Sequence, residues 1–295
     1  MVTRRLMGAI VLSVSAMSLA EPTHPASPLT PLRTLVGGLP VSAGGYVKFV
    51  YPSAIAVGAG ELYVLDSGLG ALLVIDLTTE RVRKIASIPG LPAVSLQPAP
   101  AGGVFVLRPD LGVVQRLDRN GRELARLRGQ DAVMQPRDIT LSPDGTQAWV
   151  TDADGSLHAF GGLGRQAYAL PGAAEPTPWR MIKSGGGRAW GIADDCLCLA
   201  EVGFDGRELR RFDDVRFDDP GAMSVDRDGR VWLVDNADGH LQAHFGGQRL
   251  GLYAPAALGA SRITALASGP GSLFVADGPG ARIIELRLSP MVRTP

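Results

Sequence analysis

The chain has 295 residues, 45% of them hydrophobic, and 29 Lys+Arg balance 29 Asp+Glu. That much apolar residue over that length can bury a sizeable core, which excludes a disordered chain. The even charge argues against a nucleic-acid binder, which shows a marked basic excess.

In chain order, residues 1–20 come first. Arg4 and Arg5 precede an apolar run from Leu6 to Met17, and Ser18-Leu19-Ala20 ends it as a small-x-small cleavage site. This is the pattern of a secretory signal peptide. Cleavage after Ala20 leaves 27 basic and 29 acidic residues, and no later apolar run is long enough to cross a bilayer. The expectation is a periplasmic or secreted protein with no transmembrane segment after signal cleavage, by general or twin-arginine export. Residues 21–31 form a Pro-rich leader.

From residue 32 to 290 one pattern repeats: an aromatic, two or three apolar residues, usually Asp, then a Gly-rich turn. It reads YVLD from Tyr63, FVLR from Phe105, WVTD from Trp149, WGIA from Trp190, WLVD from Trp232 and FVAD from Phe274. The steps between aromatics are 42, 44, 41, 42 and 42 residues. A period of this size is that of a four-stranded propeller blade. Each aromatic is expected to fill the wedge between neighbouring blades, not to form a ligand cage.

The rest of each repeat supplies the other strands. A Pro and an alternating inner strand precede the aromatic: Pro52, Pro136, Pro178 and Pro220 lead such runs, with Leu91 and Ser261 at the same place in repeats two and six. Hairpin turns follow, as at Pro143-Asp144-Gly145 and Arg227-Asp228-Gly229. Two further strands complete each blade, except in the sixth, where the chain ends after three. The segment Leu32–Val36 has no partner of its own and is expected to supply the missing strand, closing the ring and removing its open edges. The fold class predicted is therefore all-β, a six-bladed propeller of four-stranded blades closed by the N-terminal strand, with residues 291–295 as a tail.

The motifs Pro-x-x-Ile-x-Val and Gly-x-Leu-Tyr-Val-x-Asp-Ser-Gly, seen best in repeats one, three, five and six, resemble the NHL-repeat family of propellers. Repeat two departs with Arg108 in place of Asp, and repeat four moves its acid to Asp194. The resemblance implies partner binding at the top face and channel mouth, without assigning the partner, because such propellers host binding and catalysis alike.

Candidate site residues follow from position. Arg137, Trp179 and Arg262 stand just after the Pro position, where the inner strand enters near the channel, and Arg180 and Arg108 adjoin them. These arginines either converge on an anionic or sugar-like ligand or pair with nearby acids such as Asp138. Loop 37–51 carries Tyr46, Lys48, Phe49 and Tyr51, as exposed anchors or folded over the edge of blade one. The column Asp66, Asp152, Asp235 and Asp277 either accepts turn N–H groups or rings the top face with carboxylates. The stretch from Asp213 to Asp219 is a solvated loop or a set of oxygen ligands for Ca²⁺. His158, His240 and His244 are too dispersed for a three-histidine metal site. Cys196 and Cys198 share a strand face and are read as two small core side chains, not a disulfide.

The preferred reading is an exported, non-catalytic propeller binding a protein or saccharide partner, with no cofactor and no nucleic acid; oligomeric state is open. The alternative is a metal-dependent lactonase or gluconolactonase-like hydrolase. Similar six-bladed hydrolases hold a divalent metal such as Ca²⁺ at the channel, and here Asp235 and Asn236 would be its ligands.

Overall fold

Each apolar run that carries a repeat aromatic forms the second strand of a four-stranded antiparallel sheet. The computed structural model describes residues 29–36, 39–40, 45–88, 95–128, 134–161, 166–169 and 177–291. Residues 1–28, which include the segment expected to be a signal peptide and most of the expected leader, together with Leu91 and the last four residues, lie outside the described residues.

Strands are lettered A to D within a blade, from the channel outward. Blade 1 comprises Pro52–Gly58, Glu61–Asp66, Ala71–Asp76 and Val82–Ser87. Blade 2 has a short A strand, Leu96–Pro98, then Val104–Arg108, Val113–Leu117 and Glu123–Leu127. Blade 3 comprises Pro136–Leu141, Ala148–Asp152, Leu157–Gly161 and Gln166–Ala169. Blade 4 comprises Trp179–Gly185, Arg188–Ala193, Cys198–Val202 and Glu208–Arg216. Blade 5 comprises Pro220–Val225, Val231–Asp235, Leu241–Phe245 and Gln248–Tyr253.

Blade 6 takes Ile263–Gly269, Ser272–Asp277 and Arg282–Arg287 from the C-terminal part of the chain, and Thr30–Leu35 from the start. The early strand pairs antiparallel with strand C, from Thr30 opposite Arg287 to Leu35 opposite Ile283. It begins at Thr30, slightly inside the segment read as leader. Arg33 fastens it from both sides: Nε donates to Glu285 of the same blade at 2.5 Å, and Nη1 donates to Glu80 at 2.8 Å and to the Leu77 carbonyl at 3.2 Å in blade 1. The latch therefore closes both the last sheet and the seam beside it.

The aromatic column does what its spacing implies. Tyr63, Phe105, Trp149, Trp190, Trp232 and Phe274 are all buried. Each packs with the blade that follows its own: Tyr63 with Leu96 and Val104, Phe105 with Ile139 and Val150, and Trp149 with Ile182 and Ala189. Trp190 packs with Met223 and Val225, Trp232 with Leu266 and Val275, and Phe274 with Ile55 and Val64. The last pair completes the circle. The Tyr63 hydroxyl also accepts the Gly103 N–H at 3.1 Å, in a turn where φ of +84° and a carbonyl 2.1 Å from any added Cβ demand glycine.

Two local expectations change. Strand D of blade 4 runs on to Arg216, so Asp213 and Asp214 lie on an outer strand and not in a loop. Cys196 and Cys198 form a disulfide, their Cα atoms 5.1 Å apart. The reading of two free core thiols assumed that both lay in one extended strand. Strand C starts only at Cys198, and Leu197 adopts a left-handed φ of +50° that curls the chain and brings the sulfurs together.

Candidate functional site at the channel mouth

The six A strands line a central cavity of about 1180 Å³. All six strands start at one mouth, because each enters at the same position of its repeat. Tyr51, Ser67, Arg137, Arg180, Asn236 and Arg262 lie on that rim. The wall is uneven: Arg137, Asp138, Arg180 and Lys183 make the blade 3 and 4 part charged, while Gly221, Ala222, Thr264 and Ala265 make stretches of blades 5 and 6 small.

The Asp column is what sets the rim. Asp66 accepts the N–H groups of Val50, Tyr51 and Leu69 at 2.8, 2.9 and 3.0 Å. Asp235 accepts those of Asp218, Asp219 and Ala237 at 2.9, 2.9 and 3.2 Å, and Asp277 those of Ser261, Arg262 and Gly280 at 2.8, 3.2 and 3.1 Å. Asp152 takes Gln135 and Ala153 at 2.6 and 2.7 Å. In each case the carboxylate ties the loop entering strand A to the turn leaving strand B. Burial opposes the charge of Asp277, but these N–H bonds and the Arg282 guanidinium outweigh it and hold the carboxyl below its usual range. The column is a fastening and not a ring of free carboxylates.

Blade 4, lacking this Asp, uses Asp194 differently. Asp194 receives Arg137 of blade 3 at 3.2 Å and Arg180 at 3.6 Å, and Arg180 reaches Asp219 at 3.2 Å. The two arginines thus converge, held by Asp194 and Asp219 and not by Asp138. Arg262 is exposed on the same rim, and among the described residues none pairs with its guanidinium. Tyr51 is half-buried, its ring against Gly278, and the Asn236 amide lies over Gly221.

Other predicted residues fall elsewhere. Trp179 is buried between blades 3 and 4, packed with Trp149, because its side chain turns away from the channel into the seam. Arg108 is tied to Asp110 at 2.8 and 3.0 Å and to Gln115 at 3.0 Å, and does not line the cavity. Loop 37–51 divides: Tyr46 is 77% exposed, Lys48 is also exposed, and Phe49 enters the core between blades 6 and 1. Asp235, proposed as a metal ligand with Asn236, has its oxygens taken by three N–H groups, so the pair does not form a chelating set.

The sequence reading missed Lys183. Its Nζ donates to Asp138 at 2.5 Å, Ser95 at 2.9 Å and the Ile139 carbonyl at 2.9 Å, strapping blades 2, 3 and 4 across the channel wall. The signal available was a second basic residue in the inner strand, one apolar pair beyond Arg180. His158, His240 and His244 do not line the cavity.

Fold and site together define a six-bladed β-propeller with an arginine-rimmed open channel. No family model and no curated protein matches the chain. Among solved structures it is similar to a protein of unknown function from Bacteroides thetaiotaomicron, with a TM-score of 0.64 and 14% identity over 86% of this chain and 76% of that one. It is also similar to virginiamycin B lyase from Staphylococcus aureus, with a TM-score of 0.56 and 14% identity over 81% of this chain and 96% of that one. A streptogramin B lyase gives 0.56 and 15% over 83% and 85%. At these identities the likeness is one of fold.

Proposed function

We propose that the protein is an exported, non-catalytic propeller of NHL-repeat type that binds a protein or saccharide partner through its top face and channel mouth. The observation that carries this reading is the convergence of Arg137, Arg180 and Arg262 with Tyr51 and Asn236 on one rim of an open cavity. Guanidinium forks in a concave mouth suit carboxylate and hydroxyl acceptors, and an aromatic face beside them suits a sugar ring or a side chain.

The fold neighbours named as lyases keep a catalytic alternative in view. One of them is known as a catalytically inactive histidine-to-alanine variant with quinupristin. In this chain the described histidines stand away from the cavity, and the two residues offered for a lactonase metal do not form a chelating set. Both points favour binding over catalysis.

The test is a screen of the purified protein against arrays of acidic and neutral saccharides and against periplasmic proteins, followed by affinity measurements on the hits. The Arg137→Ala, Arg180→Ala double variant is expected to bind at least tenfold more weakly and to melt within a few degrees of the parent, because partly exposed ion pairs add only about 0–1 kcal/mol each. Unchanged affinity would remove the rim from the reading. Elemental analysis that finds one divalent metal per chain would favour the hydrolase.

A further inference from the structure

Beside the rim, the turn Asp194–Leu197 carries the Cys196–Cys198 disulfide. A bridge across one residue restrains the unfolded chain least of any, so it adds little as a staple. Its surroundings are arranged for something else. Cys196 is partly exposed, while Cys198 is fully buried at the start of strand C. The strand D segment opposite is irregular: Cys198 pairs with Arg216 and Leu199 with Phe212, so residues 213–215 bulge between them. Such bulges re-aim side chains. Arg211 Nη1 stands 3.8 Å from Cys196 Sγ, and a carboxylate oxygen of Asp213 lies within 4.8 Å of both sulfurs.

We propose that Cys196–Cys198 is a thiol–disulfide exchange site for external thiols, with Cys196 the sulfur attacked. An external thiolate attacks Cys196 Sγ. A new S–S bond forms, the Cys196–Cys198 bond breaks, and its electron pair leaves on Cys198 Sγ, which takes up a proton. A second external thiolate then attacks the external sulfur of this mixed disulfide, releasing the external disulfide and the Cys196 thiolate. Two external thiols are oxidised to one disulfide while the protein pair gains two electrons. In reverse, an external disulfide forms the mixed disulfide, Cys198 loses its proton to Asp213, and its thiolate displaces the external thiolate.

The charges facing the pair have distinct parts. Arg211 favours the thiolate at Cys196, both as leaving group and as nucleophile. Arg211 is itself held by Asp195 at 2.9 Å and Glu208 at 2.7 Å, which fix its aim and temper its charge. Arg216 binds the Asp213 carbonyl at 2.8 Å, which holds the bulge. Arg211 and Asp213 are thus positioning and proton-carrying groups on one strand, and Cys196 is the reacting atom's residue. This inference does not depend on what the rim binds.

The experiment uses the full folded chain, oxidised, with reduced glutathione as the thiol. Samples are quenched by alkylation and read by mass spectrometry, with near-ultraviolet circular dichroism to confirm the fold. The expected result is reduction without unfolding, with the glutathione adduct on Cys196. Arg211→Ala should slow the reaction about threefold or more, in line with the modest dependence of exchange on thiolate basicity. Asp213→Asn should make the mixed disulfide accumulate during reoxidation by oxidised glutathione. A pair that is reduced only when urea unfolds the chain would overturn the proposal. So would adducts formed equally on Cys198, or an Arg211→Ala variant that folds and reacts at the parent rate.

Discussion

His244 offers a quantitative test of how tightly the blade 5 seam is packed. The ring is 2% exposed, its Nε2 donates to the Gln242 amide oxygen at 3.1 Å, and it stands edge-on to Phe217 with centroids 5.7 Å apart. Burial lowers its pKa from 6.5 to about 4, with nearby Arg249 adding to the effect. The folded protein therefore keeps the ring neutral where an unfolded chain protonates it. As pH falls from 6.5 toward 4 the unfolded state binds a proton that the native state refuses, so stability falls through that window and this contribution levels off below it. At about 1.4 kcal/mol per pH unit, the gap amounts to about 3 kcal/mol, against a total of about 5–15 kcal/mol for a typical domain. The perturbation is His244→Leu, which fills the site without a titratable group. Urea unfolding followed by fluorescence at pH 7 and pH 4.5 gives the stability of both proteins. The parent should lose about 2–3 kcal/mol more than the variant on acidification; carboxylates that also titrate are common to both and cancel. Parallel losses would refute the account of a neutral, desolvated ring.

Other expectations follow from the same packing. Phe274→Ala should cost about 3–5 kcal/mol in urea unfolding, because the ring fills the seam that joins the last blade to the first; a loss under 1 kcal/mol would deny the wedge. Replacing Asp66 with Ala strands three N–H groups at the mouth, at a cost of at least about 2 kcal/mol, and should speed amide exchange at Val50, Tyr51 and Leu69 above all. Arg33→Ala should lower the melting temperature and raise hydrogen exchange across Thr30–Leu35 while leaving blade 3 protected; uniform exchange would mean that the latch is not a separate unit.

Much of the architecture was legible because a propeller repeats one physical problem six times. Each small sheet must bury both faces of its middle strands, so a bulky ring recurs at the same place, and Tyr63, Trp149 and Phe274 announce the period without any partner being known. The unpaired segment near residue 32 follows from counting strands. The site was less legible. Arg137 and Arg180 could be placed at the mouth from their position after the Pro residues, yet that they share Asp194 depends on two blades meeting across a seam. Trp179 pairs with Ala193 as Pro136 pairs with Asp152, so it takes the register of the Pro while Arg180 takes that of Arg137, and side chains on adjacent strand positions point to opposite faces. The Cys196–Cys198 bridge was hidden for a related reason: one left-handed residue, Leu197, undoes the strand geometry on which the spacing argument relied.

Periodic patterning by itself settled the blade number, the wedge residues and the closing strand, since each answers to burial summed along a strand, a quantity local to the chain. Which acids hold which arginines, where Lys183 straps the wall and which sulfurs meet were decided only when six sheets were drawn around a common axis. Most of those contacts join residues of different blades, or turn on a single backbone angle, and neither leaves a period to read.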